Sequence, residues 1–264
     1  MADFDGEVAL VTGAAGAIGG AICRALRASG AVVALTDIDA RALERTAAEL
    51  GGEVEIFPAD LTDDAQTEAL PARVRKRFGR LDILVNNAGA RQIAPMLDIE
   101  PAVWRHTLEV DLVAPFVLSR AAIPGMIEQG RGKIVNIASM AGLAAFRDRA
   151  AYSAAKAGLI MLTKVTAVEC GGRGIWCNAV APGVVETPMT SSFFESDEMT
   201  ASIRANTPMG RWCRPDEIAS PVVFLSSAAS DFVNGTVVPV DGGWTAGYVG
   251  AELSPRPIGA DNGR

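Results

Sequence analysis

Seven short apolar, β-branched runs punctuate the chain, and between them lie longer stretches whose apolar positions recur at helical period. That alternation constrains the fold more than any other feature. The runs are 7–12 (EVALVT), 31–36 (AVVALT), 53–57 (EVEIF), 81–86 (LDILVN), 132–138 (GKIVNIA), 174–180 (GIWCNAV) and 235–240 (GTVVPV). Each is apolar almost throughout, as parallel strands covered on both faces must be. Helical segments are expected at 17–29, 39–50, 63–78, 100–128, 150–171 and 214–228. Asp63 reads as the N-cap of the third and Gly79 as its stop. Pro115 and Pro124 predict a kink or break in the fourth. The expected architecture is α/β: one doubly wound domain with a mainly parallel seven-stranded sheet flanked by helices and right-handed crossovers.

The 264 residues can bury a large core in a single domain, placed here at 1–245. Residues 187–210 break the alternation by mixing Phe and Met with Ser, Thr and Glu, and the Gly- and Pro-rich stretch 246–264 reads as a tail. Composition then removes several classes of function. A formal charge of −7 disfavours nucleic acid as a partner. The basic cluster Arg73, Arg75, Lys76, Arg77 and Arg80 reads as a solvated helix face or a subunit contact. No run approaches the ~20 uninterrupted apolar residues of a membrane span, and Asp3, Asp5 and Glu7 are out of place in a secretory leader. The expectation is a cytoplasmic chain without a membrane partner. Cys23, Cys170, Cys177 and Cys213 lack metal-ligand spacing and the chain has one His, so no metal is expected.

The first strand runs straight into Thr12-Gly13-Ala14-Ala15-Gly16-Ala17-Ile18-Gly19 and then a helix. Glycines there allow a tight turn and let backbone N–H groups approach a pyrophosphate, with the helix N-terminus adding positive partial charge. Between a first strand and a first helix this is the position of a dinucleotide site in a Rossmann domain. Asp37, closing the second strand, can accept from ribose hydroxyls and would repel a 2′-phosphate, which points to NAD as cofactor. The plainer reading of Asp37 is a cap for the next helix.

Tyr152 and Lys156 stand four apart near the start of a helical segment, so both face one way. Phenols titrate near ~10 in water, and a fixed ammonium close by favours the phenolate, making the ring oxygen a usable base. Ser139 ends the fifth strand, on the carboxyl edge where open α/β sheets bind ligands, and its hydroxyl could hold a substrate oxygen near Tyr152. The plainer reading of Ser139 is a turn or helix cap.

These motifs, in this order over residues 6–244, resemble those of the short-chain dehydrogenases/reductases. The resemblance implies cofactor contacts from Gly13, Ala15, Gly16, Ala17, Ile18 and Gly19 in the turn, with Ala17 where a glycine is usual. Further contacts follow from Asp37, Ile38, Asp60, Leu61, Asn87, Ala88, Gly89, Tyr152, Lys156, Pro182, Gly183, Val185, Thr187 and Met189. Ser139, Tyr152 and Lys156 match the catalytic set. Asp111 stands where the family usually has an asparagine whose main-chain carbonyl holds a water leading to the lysine. The aspartate keeps that carbonyl and adds a charge near Lys156. The resemblance also implies a homotetramer, and a lid over the substrate at 187–210.

The expected reaction interconverts a secondary alcohol and a ketone, with a sugar, polyol or hydroxy acid as the leading substrate class. Ser139, Tyr152, Arg91, Gln92, Phe146, Arg147 and Phe193 are its expected contacts; Ala90, Met140, Ala141, Arg149, Met189 and Phe194 are further pocket candidates, and Arg91 and Arg147 are the sharper clues. A guanidinium in a pocket suits a carboxylate or dense hydroxyls. One alternative is a reductase of 3-oxoacyl carrier-protein thioesters, which Asp37 and the acidic surface count against. The other, a non-catalytic nucleotide sensor, would show degenerate catalytic positions.

Overall fold

A computed structural model of the chain describes residues 4–191 and 195–247. Its strands are β1 (Val8–Thr12), β2 (Val32–Thr36), β3 (Val54–Ile56), β4 (Ile83–Asn86), β5 (Gly132–Ile137), β6 (Ile175–Pro182) and β7 (Val237–Val240). They form one seven-stranded sheet in the order β3-β2-β1-β4-β5-β6-β7, with every neighbouring pair parallel. The helices are α1 (Ala17–Ala28), α2 (Ala40–Leu50), α3 (Asp64–Phe78), α4 (Pro101–Leu108), α5 (Ala114–Glu128), α6 (Ala150–Cys170), α7 (Asp197–Asn206) and α8 (Pro215–Ser226). This is the doubly wound architecture expected from the alternation.

Successive strand residues point to opposite faces, and here each face meets its own layer. Ala9, Val11, Val33, Leu35, Val85 and Val135 pack with Ile22 and Leu26 of α1 and Ile218 and Val222 of α8. Val8, Leu10, Ala34, Leu84 and Ile134 pack on the other side with Leu70 and Val74 of α3 and Leu118 and Met126 of α5. Two-sided burial is why the strands read as unbroken apolar runs. Trimming one such side chain, Leu10→Ala for instance, is expected to cost about 2–5 kcal/mol.

Asp63 accepts from the N–H groups of Ala65 and Gln66, and Gly79 ends α3 in the left-handed region at φ 81°, as expected. The long fourth segment departs from expectation. No break occurs at Pro124, which lies within α5. Near Pro115 the chain instead widens into a π-turn at Glu109–Val113, where the Ala114 N–H reaches back five residues to the Glu109 carbonyl. Pro115 has no N–H for the carbonyl four residues before it, that of Asp111, so the helix loosens at that residue. The continuous stretch Pro101–Glu128 is long and apolar enough to cross a membrane by length and composition, but half of its apolar window is buried inside the domain. The basic cluster on and after α3 is engaged in ion pairs: Arg75 with Glu128, Arg77 with Glu55 and Arg80 with Asp82.

β1 lies between β2 and β4, so the connections leaving their carboxyl ends diverge there and open a crevice. Within 187–210 the described residues form a short turn at Pro188–Thr190 and helix α7. Phe193 and Phe194 lie outside the described residues, as does the tail beyond Gly247.

Candidate active site

The turn after β1 is shaped by close approach. Gly13 adopts φ 61°, and a Cβ there would stand 2.9 Å from the Ala88 Cα. A Cβ on Gly19 would fall 2.1 Å from the Gly13 carbonyl oxygen. Neither position accepts a side chain without moving backbone, which leaves the bare N–H-lined turn that a pyrophosphate requires. The turn is stitched to the end of β4. The Thr12 hydroxyl accepts from the N–H groups of Asn87 and Ala88, each at 2.9 Å. The Asn87 amide donates to the carbonyls of Thr12 at 2.8 Å and Gly13 at 3.1 Å. Thr12 opens the turn motif but carries no expected role of its own; its place at the strand end is the signal that could have found this bracing.

Asp37 does not cap α2, since Asp39 does so by accepting from the Ala42 N–H. The Asp37 carboxylate instead accepts from Ala15 N–H at 3.3 Å and Asp39 N–H at 3.2 Å, which holds it against the glycine turn. Ile38 beside it is exposed. The Asp60 carboxylate closes a local turn on the N–H and hydroxyl of Thr62, and Leu61 packs beside the core. Gly183 has its Cβ position 2.8 Å from the Asp241 Cα, fixing the exit of β6. Val185 is buried, and Thr187 starts a turn through a reciprocal pair with Thr190. Bare glycines beside a carboxylate suit a pyrophosphate and a ribose diol.

The catalytic candidates converge on the carboxyl edge of β5. Ser139 follows that strand and is buried; its Oγ accepts from the Ala141 N–H at 3.1 Å, capping a short turn and leaving the hydroxyl hydrogen to donate. The plain capping role and a substrate-holding role are thus compatible in one group. Tyr152 sits in the first turn of α6 and is partly exposed. Lys156, one turn on, places its Nζ 5.6 Å from the Tyr152 ring centroid. That Nζ donates to the Ile137 carbonyl at 3.0 Å.

Lys156 is also paired. Its Nζ lies 2.8 Å from Asp111 Oδ1, a close ion pair whose atoms are not aligned as a hydrogen bond. The other carboxylate oxygen accepts from the Ala90 N–H at 3.0 Å. A Cβ on Gly89 would stand 2.8 Å from Asp111 Oδ1, so only glycine lets the carboxylate sit there. Burial works to strip the Lys156 proton, but the charges of Asp111 and Tyr152 and the Asp111 contact outweigh it and raise the lysine above its usual range. The charge that the sequence places near Lys156 is therefore in direct contact with it.

The expected substrate residues divide. Arg91 and Arg149 are half-buried, and burial holds both below the usual arginine range, with Tyr152 opposing. Arg147 is exposed. Gln92 is buried, and its amide donates to the Ala94 carbonyl of its own loop at 3.3 Å. Phe146 packs its ring 5.9 Å from that of Trp244, which ties this loop to the turn after β7. Among the described residues, no group of three or more His, Cys, Asp or Glu side chains could hold a metal ion.

A family model described as enoyl-(acyl carrier protein) reductase, within the short-chain alcohol dehydrogenases, matches residues 13–245. The chain belongs to the short-chain dehydrogenase/reductase family. It is 41% identical over 245 residues to D-threitol dehydrogenase of Mycolicibacterium smegmatis, covering 92% of this chain and 94% of that one. It is 38% identical over 243 residues to the 3-oxoacyl-[acyl-carrier-protein] reductase FabG of Thermotoga maritima, covering 91% and 98%. Among solved structures, a gluconate 5-dehydrogenase from Burkholderia cenocepacia in complex with NADP and tartrate superimposes with a TM-score of 0.88 at 35% identity, covering 93% of this chain and 97% of that one. As a short-chain dehydrogenase/reductase, the chain is an oxidoreductase of the class that acts on alcohols.

Proposed function

We propose that this protein is an NAD-dependent dehydrogenase of secondary alcohols, acting on a sugar, polyol or hydroxy acid. The observation that carries the reading is the placement of Tyr152, Lys156 and Ser139 on one edge of the crevice, with Asp37 at the other end of the cofactor cradle. The Ser139 hydroxyl donates to the alcohol oxygen and holds it beside Tyr152. The Tyr152 oxygen takes the hydroxyl proton, and the nearby ammonium of Lys156 stabilises the phenolate that serves as base. A nicotinamide held along residues 182–187 would supply the hydride acceptor.

Asp37 supports NAD, because a carboxylate fixed beside the turn meets a 2′-phosphate with like charge. The NADP in the gluconate 5-dehydrogenase structure belongs to that protein. Initial rates with each cofactor, over a panel of polyols and hydroxy acids, test the proposal. NAD should be preferred, and Asp37→Ala should shrink that preference about tenfold or more. An equal preference in the parent protein would reject the cofactor assignment. The relative acting on 3-oxoacyl carrier-protein substrates favours a second reading, reduction of a 3-oxoacyl thioester. Faster turnover of such a thioester with NADPH than of any polyol or hydroxy acid with NAD would establish it instead.

A further inference from the structure

Two separate loops bring the backbone of Arg91 and Arg149 close to the Tyr152–Lys156 turn of α6. Arg91 follows Ala90, whose N–H is held by Asp111, the carboxylate that contacts Lys156. Its backbone is therefore pinned one residue from the catalytic pair. Arg149 is the residue that opens α6, three positions and about one turn before Tyr152. Its side chain makes no capping bond, and its guanidinium donates to the Asp148 carbonyl at 3.5 Å. The preceding residue, Asp148, adopts φ 60°, the one positive φ at a non-glycine residue among those described. Left-handed backbone at a non-glycine residue is uncommon and is kept where surrounding structure demands it. Here the Asp148 carbonyl accepts from the Ala94 N–H at 3.2 Å, which staples the Arg149 loop to the loop carrying Arg91.

The electrostatics follow from this geometry. Burial pulls Arg149 below the ordinary arginine range, and the charge of Arg91 pulls it further; Tyr152 and the neighbouring Asp148 oppose this. Burial likewise lowers Arg91, again with Tyr152 opposing. An anion seated between two partly desolvated guanidinium groups would act in the same sense as Tyr152 and Asp148, favouring their charged forms. A guanidinium also presents a planar fork of donors matched to a carboxylate. On a protein of net charge −7, an anionic substrate is repelled at long range, so its binding calls for local positive charge of this kind.

We propose that Arg91 and Arg149 form an anion subsite beside Tyr152, and that the alcohol oxidised there carries a carboxylate or a similarly compact anion. The substrate class thus narrows from polyols and hydroxy acids to the acids, an inference that rests on the dehydrogenase reading for its reaction. Ser139 and Tyr152 hold the alcohol oxygen, and the two arginines fix the acid group. The spacing between them selects which hydroxyl is presented.

The test uses malonate and its uncharged diamide, malonamide, as unreactive probes of the NADH-loaded protein, with binding measured by calorimetry. Malonate should bind and malonamide should not. Arg149→Gln and Arg91→Gln should each weaken malonate about tenfold or more. Arg149→Lys should recover only part of that loss, because a point charge lacks the fork. Equal binding of the two probes, no binding of malonate, or malonate affinity indifferent to both substitutions would overturn the subsite. In turnover of a hydroxy acid, the same substitutions should raise KM far more than they lower kcat. Specific malonate binding without turnover of any alcohol would leave the subsite standing and refute the dehydrogenase reading. Turnover of glucitol as efficient as that of gluconate, and insensitive to both arginines, would do the reverse.

Discussion

The cofactor turn draws nearly everything it needs from one local stretch, residues 12–19, with Asp37 and Asn87 closing on it from adjacent strands. The candidate catalytic cleft takes Gly89, Asp111, Ile137 and Lys156 from four segments and gathers them around one buried ammonium. The first region is rigid because sterics leave the backbone no alternative. The second depends on charges that burial would otherwise extinguish. A steric site should fail in binding and be indifferent to pH, whereas an electrostatic site should fail in rate and carry a pH signature.

The largest effect expected is Tyr152→Phe, which removes the proton acceptor and leaves the ring. Dehydrogenase rates should fall about 10²- to 10⁴-fold, while NAD affinity by fluorescence titration changes little. A variant retaining most of its activity would refute the assignment of the base. The counterpart in the turn is Gly19→Ala, where the new methyl meets the Gly13 carbonyl. Displacing that carbonyl should cost about 1–3 kcal/mol and weaken NAD binding about tenfold to a hundredfold, equally at every pH. Unaltered cofactor affinity would show that the turn is not a steric site.

Asp111→Asn probes the cleft by its other property. Lys156 is held above its usual range, so the stability it confers is complete below its unfolded value of ~10.4 and is lost only as pH rises through the higher folded value. With the carboxylate neutralised, burial is opposed by Tyr152 alone and the lysine proton leaves at lower pH. The alkaline loss of activity and of thermal stability should therefore begin about one pH unit or more earlier. Breaking the buried pair should cost on the order of 3 kcal/mol near neutral pH. A variant whose pH–rate profile overlays that of the parent would reduce Asp111 to its main-chain carbonyl.

The two regions also differed in how far the sequence disclosed them. Strands covered on both faces must be apolar throughout, so their positions were legible within a residue or two, and the glycine turn announced itself by local spacing. Tyr152 and Lys156 were legible because one helical turn relates them. The contact between Asp111 and Lys156 is of another kind, because no periodicity connects residues on different helices. Only the resemblance drew attention to Asp111, and only the fold shows its carboxylate against the ammonium. The π-turn at Glu109–Val113 was anticipated as a proline kink, which located the irregularity but not its form. Backbone reversals defeat spacing arguments most completely, as the loop 146–149 shows.

In that loop, Arg147 and Arg149 are indistinguishable by composition, and alternation alone would set both on one side. The left-handed turn at Asp148 intervenes. It leaves Arg147 exposed and starts α6 with Arg149 half-buried near Tyr152. The smallest effect expected therefore belongs to Arg147→Gln. An exposed side chain away from caps and buried pairs contributes within about ±0.5 kcal/mol to stability, and a cation separated from the reacting groups by solvent is heavily screened at physiological salt. Melting temperature and hydroxy-acid KM should both stay close to the parent's, in contrast to Arg149→Gln. A KM raised as much by the Arg147 change as by the Arg149 change would mean that the loop turns its other guanidinium inward when substrate binds, and that the reversal at Asp148 does not sort the two arginines.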